Sequence, residues 1–306
     1  MAETADRWPT LGAMYHAASS RYVDDGLGPV HVVDFGGEGP PLVFVHGLGG
    51  SHANWMPVAP EVKAPMKLSA IDLPGFGLTP PLGRSGSIQA SRRVLDAHLR
   101  SFGEPVLVVA NSFGAAVAMH QAATAPDTVR GMVLISPVVP FSGTIDPLVA
   151  GLFSLYFVPG LATLALAGRR RVQSPAEIAR MTLDLCTARM STLEPEVVDL
   201  HIDVARRRLG FEGVDAAFAQ AARSLLPILA GRGAFRRRLA AITAPTMVVQ
   251  GREDRLVPLE SVLGIGSLRP DWRIEILEGV GHLAMLEVPV RVAQLIDEWA
   301  AVPLAA

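Results

Sequence analysis

Short apolar segments recur along the chain at intervals that suit a parallel β-sheet. Strands are predicted where apolar and β-branched residues occupy consecutive positions, at residues 41–45, 67–71, 105–110, 129–135, 245–250 and 272–277. An antiparallel pair, around residues 21–23 and 30–35, is expected to precede them. Apolar residues at consecutive positions are typical of strands that helices cover on both faces. Because helix-like stretches separate most of these strands, the pattern predicts an α/β fold.

The alternation of strands and helices stops between residues 135 and 245, where helix-like patterns continue without a convincing strand. We therefore expect a helical cap over residues 139–235, inserted into a core domain formed by residues 1–138 and 236–306. Residues 147–168 carry no charge. We interpret them as a lid that lines an apolar pocket, with contact to a bilayer surface as an alternative. A membrane span is disfavoured because two prolines and three glycines interrupt the stretch.

Residues 106–117 combine the end of a predicted strand with the start of a predicted helix, and Ser112 stands at the junction. Ala110 and Gly114 flank it two positions away on either side. A nucleophilic serine on a tight strand-to-helix turn needs small neighbours of this kind. The main-chain N–H of Phe113 would then face an oxyanion that forms at the serine. For this segment alone, a helix-capping serine without a catalytic role is the alternative.

A catalytic serine needs a base, and His282 is the best candidate among the eight histidines. A glycine-rich loop carries it beyond the last predicted strand, whereas His46 precedes a glycine and suits the bracing of a turn. The imidazole in turn needs a carboxylate. Asp254 follows the strand at residues 245–250 and is favoured over its neighbour Glu253.

A second glycine-rich loop, H-G-L-G-G-S at residues 46–51, follows the first predicted parallel strand. Its amides can turn inward, so the N–H of Leu48 is expected to act as the second oxyanion donor beside that of Phe113.

Composition limits the partners. Of the 306 residues 50% are hydrophobic and 18% are charged, with a formal net charge of -2, so nucleic acid is not an expected partner. We find no phosphate-binding glycine motif and expect no cofactor. Cys186 is the single cysteine, which excludes an intrachain disulfide and a cysteine–histidine zinc cluster around it. The first residues lack the apolar core of a signal peptide, so a cytoplasmic location is expected, with membrane association through the cap as an alternative.

Five ordered motifs resemble those of the α/β-hydrolase superfamily, in its serine hydrolase branch. They are V-H-G-L-G-G, D-L-P-G-F-G, A-N-S-F-G, G-R-E-D-R-L-V-P and G-H-L-A-M-L-E-V-P. The order Ser112, Asp254, His282 matches the nucleophile, acid and base of that fold, and Ala110 replaces the usual glycine. The resemblance implies an eight-stranded, mostly parallel sheet flanked by helices, with a cap after the sixth strand. It also implies an acyl-enzyme mechanism that needs no metal.

Several functions fit this resemblance. The first is a carboxylesterase or lipase that cleaves esters with an apolar acyl group, so that the expected partner is a small apolar ester. The sequence N-S-F-G also resembles the meta-cleavage carbon–carbon hydrolases, although Leu283 stands where those commonly carry an aromatic residue. A cofactor-free perhydrolase and a non-catalytic binding protein of the same fold are further alternatives. The serine at position 112 argues against the haloalkane dehalogenases and epoxide hydrolases, which use a carboxylate nucleophile.

Overall fold

A single sheet of eight strands forms the centre of the computed structural model, which describes residues 18–24, 26–143, 147, 150, 151, 154, 158 and 160–302. The strands are β1 (Ser19–Val23), β2 (Val30–Gly36), β3 (Pro41–Val45), β4 (Lys67–Ile71), β5 (Val106–Asn111), β6 (Val129–Ile135), β7 (Thr246–Gly251) and β8 (Arg273–Leu277). Their order in the sheet is β1-β2-β4-β3-β5-β6-β7-β8. β2 pairs antiparallel with β1 and β4, and the other pairs are parallel. The predicted fold class is confirmed.

The central strands are buried on both faces, as their consecutive apolar residues predict. In β5, Val106, Val108 and Ala110 belong to one hydrophobic cluster, while Leu107 and Val109 belong to a second cluster. Successive side chains of a strand point to opposite faces, so the two clusters are the two covered faces of the sheet. An apolar residue at every position therefore stabilises this strand from both sides.

Helices cover both faces of this sheet. The first cluster includes residues of α1 (Ile88–Arg100), α2 (Phe113–Thr124) and α9 (Leu259–Leu268). The second includes residues of α10 (Ala284–Glu287) and α11 (Pro289–Ala300). The most apolar residues of these helices point to the sheet, since burial of apolar area is the main force that holds a helix on a sheet.

The described residues between β6 and β7 contain helices and no strand. They are α3 (Leu161–Val172), α4 (Pro175–Cys186), α5 (Pro195–Arg207), α6 (Val214–Ser224), α7 (Leu226–Ala230) and α8 (Arg232–Ala241). The division into a core and a cap stays a prediction. Its second boundary, between residues 235 and 236, falls inside α8, which packs against α2 through the core cluster. Its two buried residues, Phe235 and Leu239, therefore lie on either side of the predicted boundary and belong to the same core cluster.

Much of the uncharged stretch at residues 147–168 lies outside the described residues. Its last part forms the first turns of α3. Across the part of the chain that the structure covers, no helix combines the length and the apolar character that a bilayer span requires.

Candidate active site

Ser112 occupies the turn between β5 and α2. Its backbone has φ 52° and ψ -112°, a region that residues other than glycine rarely adopt. The N–H of Ser112 donates to the carbonyl of Ile135 at 3.0 Å, which holds the turn against β6. Ser112 is the N-cap residue of α2, yet its side chain makes no capping hydrogen bond. Ser112 therefore stands at the capping position of the helix, but its hydroxyl group does not cap the helix.

The turn after β5 lies close to the end of β3, and Gly114 makes this approach possible. A Cβ atom at residue 114 would overlap the carbonyl oxygens of Val45 and His46. Only glycine lets α2 begin so near to the loop that follows β3. The small residue that the sequence places two positions after Ser112 is thus explained by packing.

His282 and Asp254 are joined at the carboxyl edge of the sheet. Nδ1 of His282 donates to Oδ2 of Asp254 at 2.8 Å, and both residues are buried. In an imidazole that carries its proton on Nδ1 alone, Nε2 is a hydrogen-bond acceptor. Glu253, the competing candidate for the acid, is exposed. The structure therefore brings together the predicted acid and base and leaves Glu253 outside.

The carboxylate of Asp254 is held by three further donors. Oδ1 accepts the N–H groups of Leu256 at 2.8 Å and Val257 at 3.0 Å, and Oδ2 accepts Nε2 of Gln250 at 3.0 Å. Burial by itself would raise the pKa of Asp254, but the charge and hydrogen bond of His282 and the backbone donors outweigh it and lower the pKa. Asp254 is consequently ionised at neutral pH.

The loop after β3 is braced by His46. Its Nδ1 donates to the carbonyl of Gly47 at 2.7 Å, and its Nε2 accepts the N–H of Leu73 at 3.0 Å. Burial lowers the pKa of His46 to about 4, so the ring is neutral, as an accepting Nε2 requires. His46 thus fixes a turn, as the sequence predicted.

A cavity of about 480 Å³ opens beside these groups. Ser112, His282 and Leu48 line it, together with residues from the helices between β6 and β7. Its walls are mainly apolar and include Val138, Val139, Leu166, Ile178, Ala179, Leu183, Phe218, Leu225 and Leu229. Phe113 is the first residue of α2, so its main-chain N–H has no acceptor within the helix. The arrangement can hold an apolar group next to a serine and a histidine.

Residues 42–295 match the model of the Alpha/beta hydrolase family. The chain belongs to this family. The match runs from β3 to α11 and includes each residue of the predicted catalytic set. Hydrolysis is accordingly the class of reaction that this membership supports.

The relatives within the family include enzymes of different specificity. The chain is 28% identical to a 2-hydroxy-6-oxononadienedioate/2-hydroxy-6-oxononatrienedioate hydrolase of Pseudomonas sp., over 94% of this chain and 98% of the relative. A putative lipase of Acinetobacter baumannii AYE has a similar structure, with a TM-score of 0.73, 19% identity, and coverage of 93% and 91% of the two chains. A variant of the meta-cleavage product hydrolase CumD of Pseudomonas fluorescens IP01 gives a TM-score of 0.70 at 23% identity, with coverage of 89% and 94%. These two likenesses concern the fold.

Charged side chains also line the cavity of this α/β hydrolase, among them Arg169, Arg170 and Arg208. Arg206 and Arg207 are exposed, whereas Arg208, which follows them directly, is partly buried and lines the cavity. One of its Nη atoms donates to the carbonyl of Gly75 at 2.7 Å, and its guanidinium lies 5.9 Å from the ring centroid of Phe76. Burial lowers the pKa of Arg208 to about 10, so it stays charged at neutral pH.

A buried network of two histidines supports the loop that carries Leu48. Asp72 accepts hydrogen bonds from Nδ1 of His31 and Nδ1 of His52, each at 2.8 Å, and from the N–H groups of His52 and Leu78. The nitrogen and oxygen atoms lie close enough together to suggest a metal site. However, four donors already occupy the carboxylate, so hydrogen bonds within the protein satisfy the oxygen atoms of Asp72.

Two polar residues that hold the site, Asn111 and Gln250, were not predicted from the sequence. Nδ2 of Asn111 donates to the carbonyl of Ile135 at 3.2 Å and to the carbonyl of His282 at 3.3 Å, and Gln250 donates to Asp254. Each is a polar residue at the end of an otherwise apolar strand. That pattern was the available signal, because a buried polar side chain normally has a specific partner.

Proposed function

We propose that this α/β hydrolase cleaves carboxylic esters with an apolar acyl group through an acyl-enzyme on Ser112. One observation carries the proposal: a serine that is strained and makes no capping bond shares an apolar cavity with a histidine that is bonded to a buried carboxylate. A serine hydroxyl becomes an effective nucleophile when a positioned base removes its proton.

In the proposed reaction, Oγ of Ser112 attacks the ester carbonyl and its proton passes to Nε2 of His282. The negative charge on the carbonyl oxygen is stabilised by the N–H groups of Leu48 and Phe113. Collapse of the tetrahedral intermediate breaks the ester C–O bond, and His282 returns the proton to the departing alcohol. Water then attacks the acyl carbon while His282 takes its proton. The bond between the acyl carbon and Oγ of Ser112 breaks, His282 returns the proton to Oγ, and the acid is released. Asp254 stabilises the imidazolium in both steps.

A carbon–carbon bond hydrolase is the second candidate, and the charged Arg208 in the cavity favours it. The relative from Pseudomonas sp. is named for a dienedioate, a substrate class that carries carboxylates. A guanidinium in a largely apolar cavity is suited to bind such an anionic group. One feature counts against this candidate: Leu283 follows His282 directly, where the meta-cleavage hydrolases commonly carry an aromatic residue.

The two candidates separate in steady-state assays of the same preparations. We expect the wild-type protein to hydrolyse p-nitrophenyl esters of neutral acyl chains, and Ser112→Ala to lose this activity and its labelling by a fluorophosphonate. Ser19→Ala, on an exposed strand residue, is the matched control. Ester turnover that survives in Ser112→Ala would overturn the first candidate. Faster turnover of a carboxylate-bearing vinylogous diketone, lost in Arg208→Gln, would favour the second.

A further inference from the structure

The segment that follows α4 lies directly against the loop that carries His282. The main-chain N–H of His282 donates to the carbonyl of Cys186, the last residue of α4, at 2.8 Å. On the opposite side, Asn111 donates to the carbonyl of His282 at 3.3 Å. The backbone of the proposed base is therefore anchored once to the sheet and once to the helices between β6 and β7.

Glu287 forms a second connection between the same two segments. Its Oε1 accepts the N–H of Gly281 at 2.9 Å, and its Oε2 accepts the N–H of Ala188 at 2.8 Å. Gly281 immediately precedes His282, and Ala188 lies two residues beyond the end of α4. A single carboxylate thus joins the loop of the base to the end of a helix more than ninety residues earlier in the chain.

The two segments are also in van der Waals contact. A Cβ atom built at Gly281 would lie 2.6 Å from the nitrogen of Ala188 and 2.8 Å from the carbonyl carbon of Thr187. No larger residue could occupy position 281 while the segment stays in place. Thr187 is itself buried, and its hydroxyl donates to the carbonyl of Leu183 at 2.9 Å, which ties the segment to α4.

The carboxylate of Glu287 is partly buried. Burial raises the pKa of Glu287, and the charge of Asp254 acts in the same direction, while the N–H groups of Ala188 and Gly281 act against them. Burial also raises the pKa of the nearby Cys186 thiol to about 12, so that thiol is neutral. Such a carboxylate is held in place by its two backbone donors, because it has lost part of its hydration.

We propose that Glu287 is a positioning residue that couples the docking of residues 186–188 to the position of His282. Displacement of this segment removes an acceptor from the N–H of His282 and a donor from Glu287, and so releases the loop of the base. The helices between β6 and β7 then determine the position of the His282 imidazole, and they also form walls of the cavity. This inference rests on the proposed function, in which His282 moves the protons of the reaction.

Glu287→Gln tests the coupling with little change of shape. Its amide can accept one N–H, but its NH₂ group then faces the other donor. We expect kcat for a short p-nitrophenyl ester to fall about tenfold, equal to about 1.4 kcal/mol, with KM changed less than about twofold. We expect limited proteolysis near residues 186–188 to become faster in the same variant. Glu278→Gln, at an exposed glutamate paired with Arg252, is the matched control and should change neither quantity.

Active-site titration with a fluorophosphonate expresses every kcat per folded site, which removes losses caused by unfolding. Glu287→Asp keeps the charge with a shorter reach and should recover part of the lost kcat. A kcat of Glu287→Gln equal to that of Glu278→Gln would overturn the inference while leaving the proposed function intact. So would a lower kcat without faster proteolysis. A wild-type protein that neither hydrolyses esters nor reacts with the probe would instead overturn the proposed function.

Discussion

Asp254→Asn tests the proposed acid, because the change removes a charge while it keeps the size of the side chain. Four groups donate to Asp254: Nδ1 of His282, Nε2 of Gln250, and the N–H groups of Leu256 and Val257. The NH₂ group of an asparagine must therefore face one of the two pairs of donors. The two backbone N–H groups cannot turn away, whereas the imidazole can exchange its tautomer, so we expect the NH₂ group to face His282.

In this arrangement Nδ1 of His282 becomes the acceptor and Nε2 carries the proton. An imidazole in that tautomer cannot accept the proton of Ser112. Asparagine in this position lowers kcat about 10⁴-fold in a serine hydrolase of another fold, which corresponds to about 5.4 kcal/mol. The expected effect on folding is smaller, since a buried donor left without an acceptor costs about 1–3 kcal/mol.

The assay is the steady-state hydrolysis of a p-nitrophenyl ester at neutral pH, normalised to folded protein by a melting curve. Glu253→Gln is the control, because it makes the corresponding change at the adjacent, exposed carboxylate. Retention of more than about a tenth of the wild-type kcat in Asp254→Asn would refute the assignment of the acid. An equal loss in Glu253→Gln would refute it as well.

Three other measurements probe the structure around the site. Gly114→Ala should abolish ester hydrolysis and lower the melting temperature, because its methyl group would overlap carbonyl oxygens at the end of β3; wild-type values of both would contradict the packing. Asn111→Ala should lower the free energy of unfolding by about 1–3 kcal/mol, since the carbonyl of His282 loses its donor, and an unchanged denaturation midpoint would speak against this bond. Stability should also fall as pH decreases from about 6.5 to about 4. Burial lowers the pKa of His46 and His98 to about 4, so both stay neutral in the folded protein while the unfolded chain binds protons below about 6.5. Each of the two histidines therefore lowers the free energy of unfolding by up to about 1.4 kcal/mol for every pH unit in this window, and above about pH 6.5 neither lowers it. Denaturation at several pH values should therefore show a shallower slope for His98→Gln, and an identical slope would be the contrary result.

The sheet could be predicted because local information determines it. Three predicted strands, at residues 41–45, 67–71 and 129–135, coincide with β3, β4 and β6, and the ends of the others differ by one or two residues. The central strands β3, β5 and β7 are apolar at most consecutive positions, and this pattern indicates burial on both faces. No contact between distant segments is needed to recognise that pattern.

The groups that hold the site could not be predicted in the same way. Asn111 and His282 are 171 residues apart, and the pattern around either one does not indicate the other. Arg206, Arg207 and Arg208 are identical in type and adjacent in sequence, yet only the third faces the cavity. Its direction depends on the rotation of the chain at the end of α5 and on how that helix packs, which are tertiary properties.

The backbone at Ser112 limits how far this protein can be made more resistant to heat. Ser112 and Ser136 are two of the three non-glycine residues with positive φ in the described part of the chain, and they follow the adjacent strands β5 and β6. A strained backbone of this kind disfavours the folded state by about 1–3 kcal/mol at each such residue. Selection for thermal stability alone would favour glycine at position 112, which would stabilise the fold but remove the hydroxyl group of Ser112. Directed evolution for heat resistance must therefore find its gains elsewhere in the molecule.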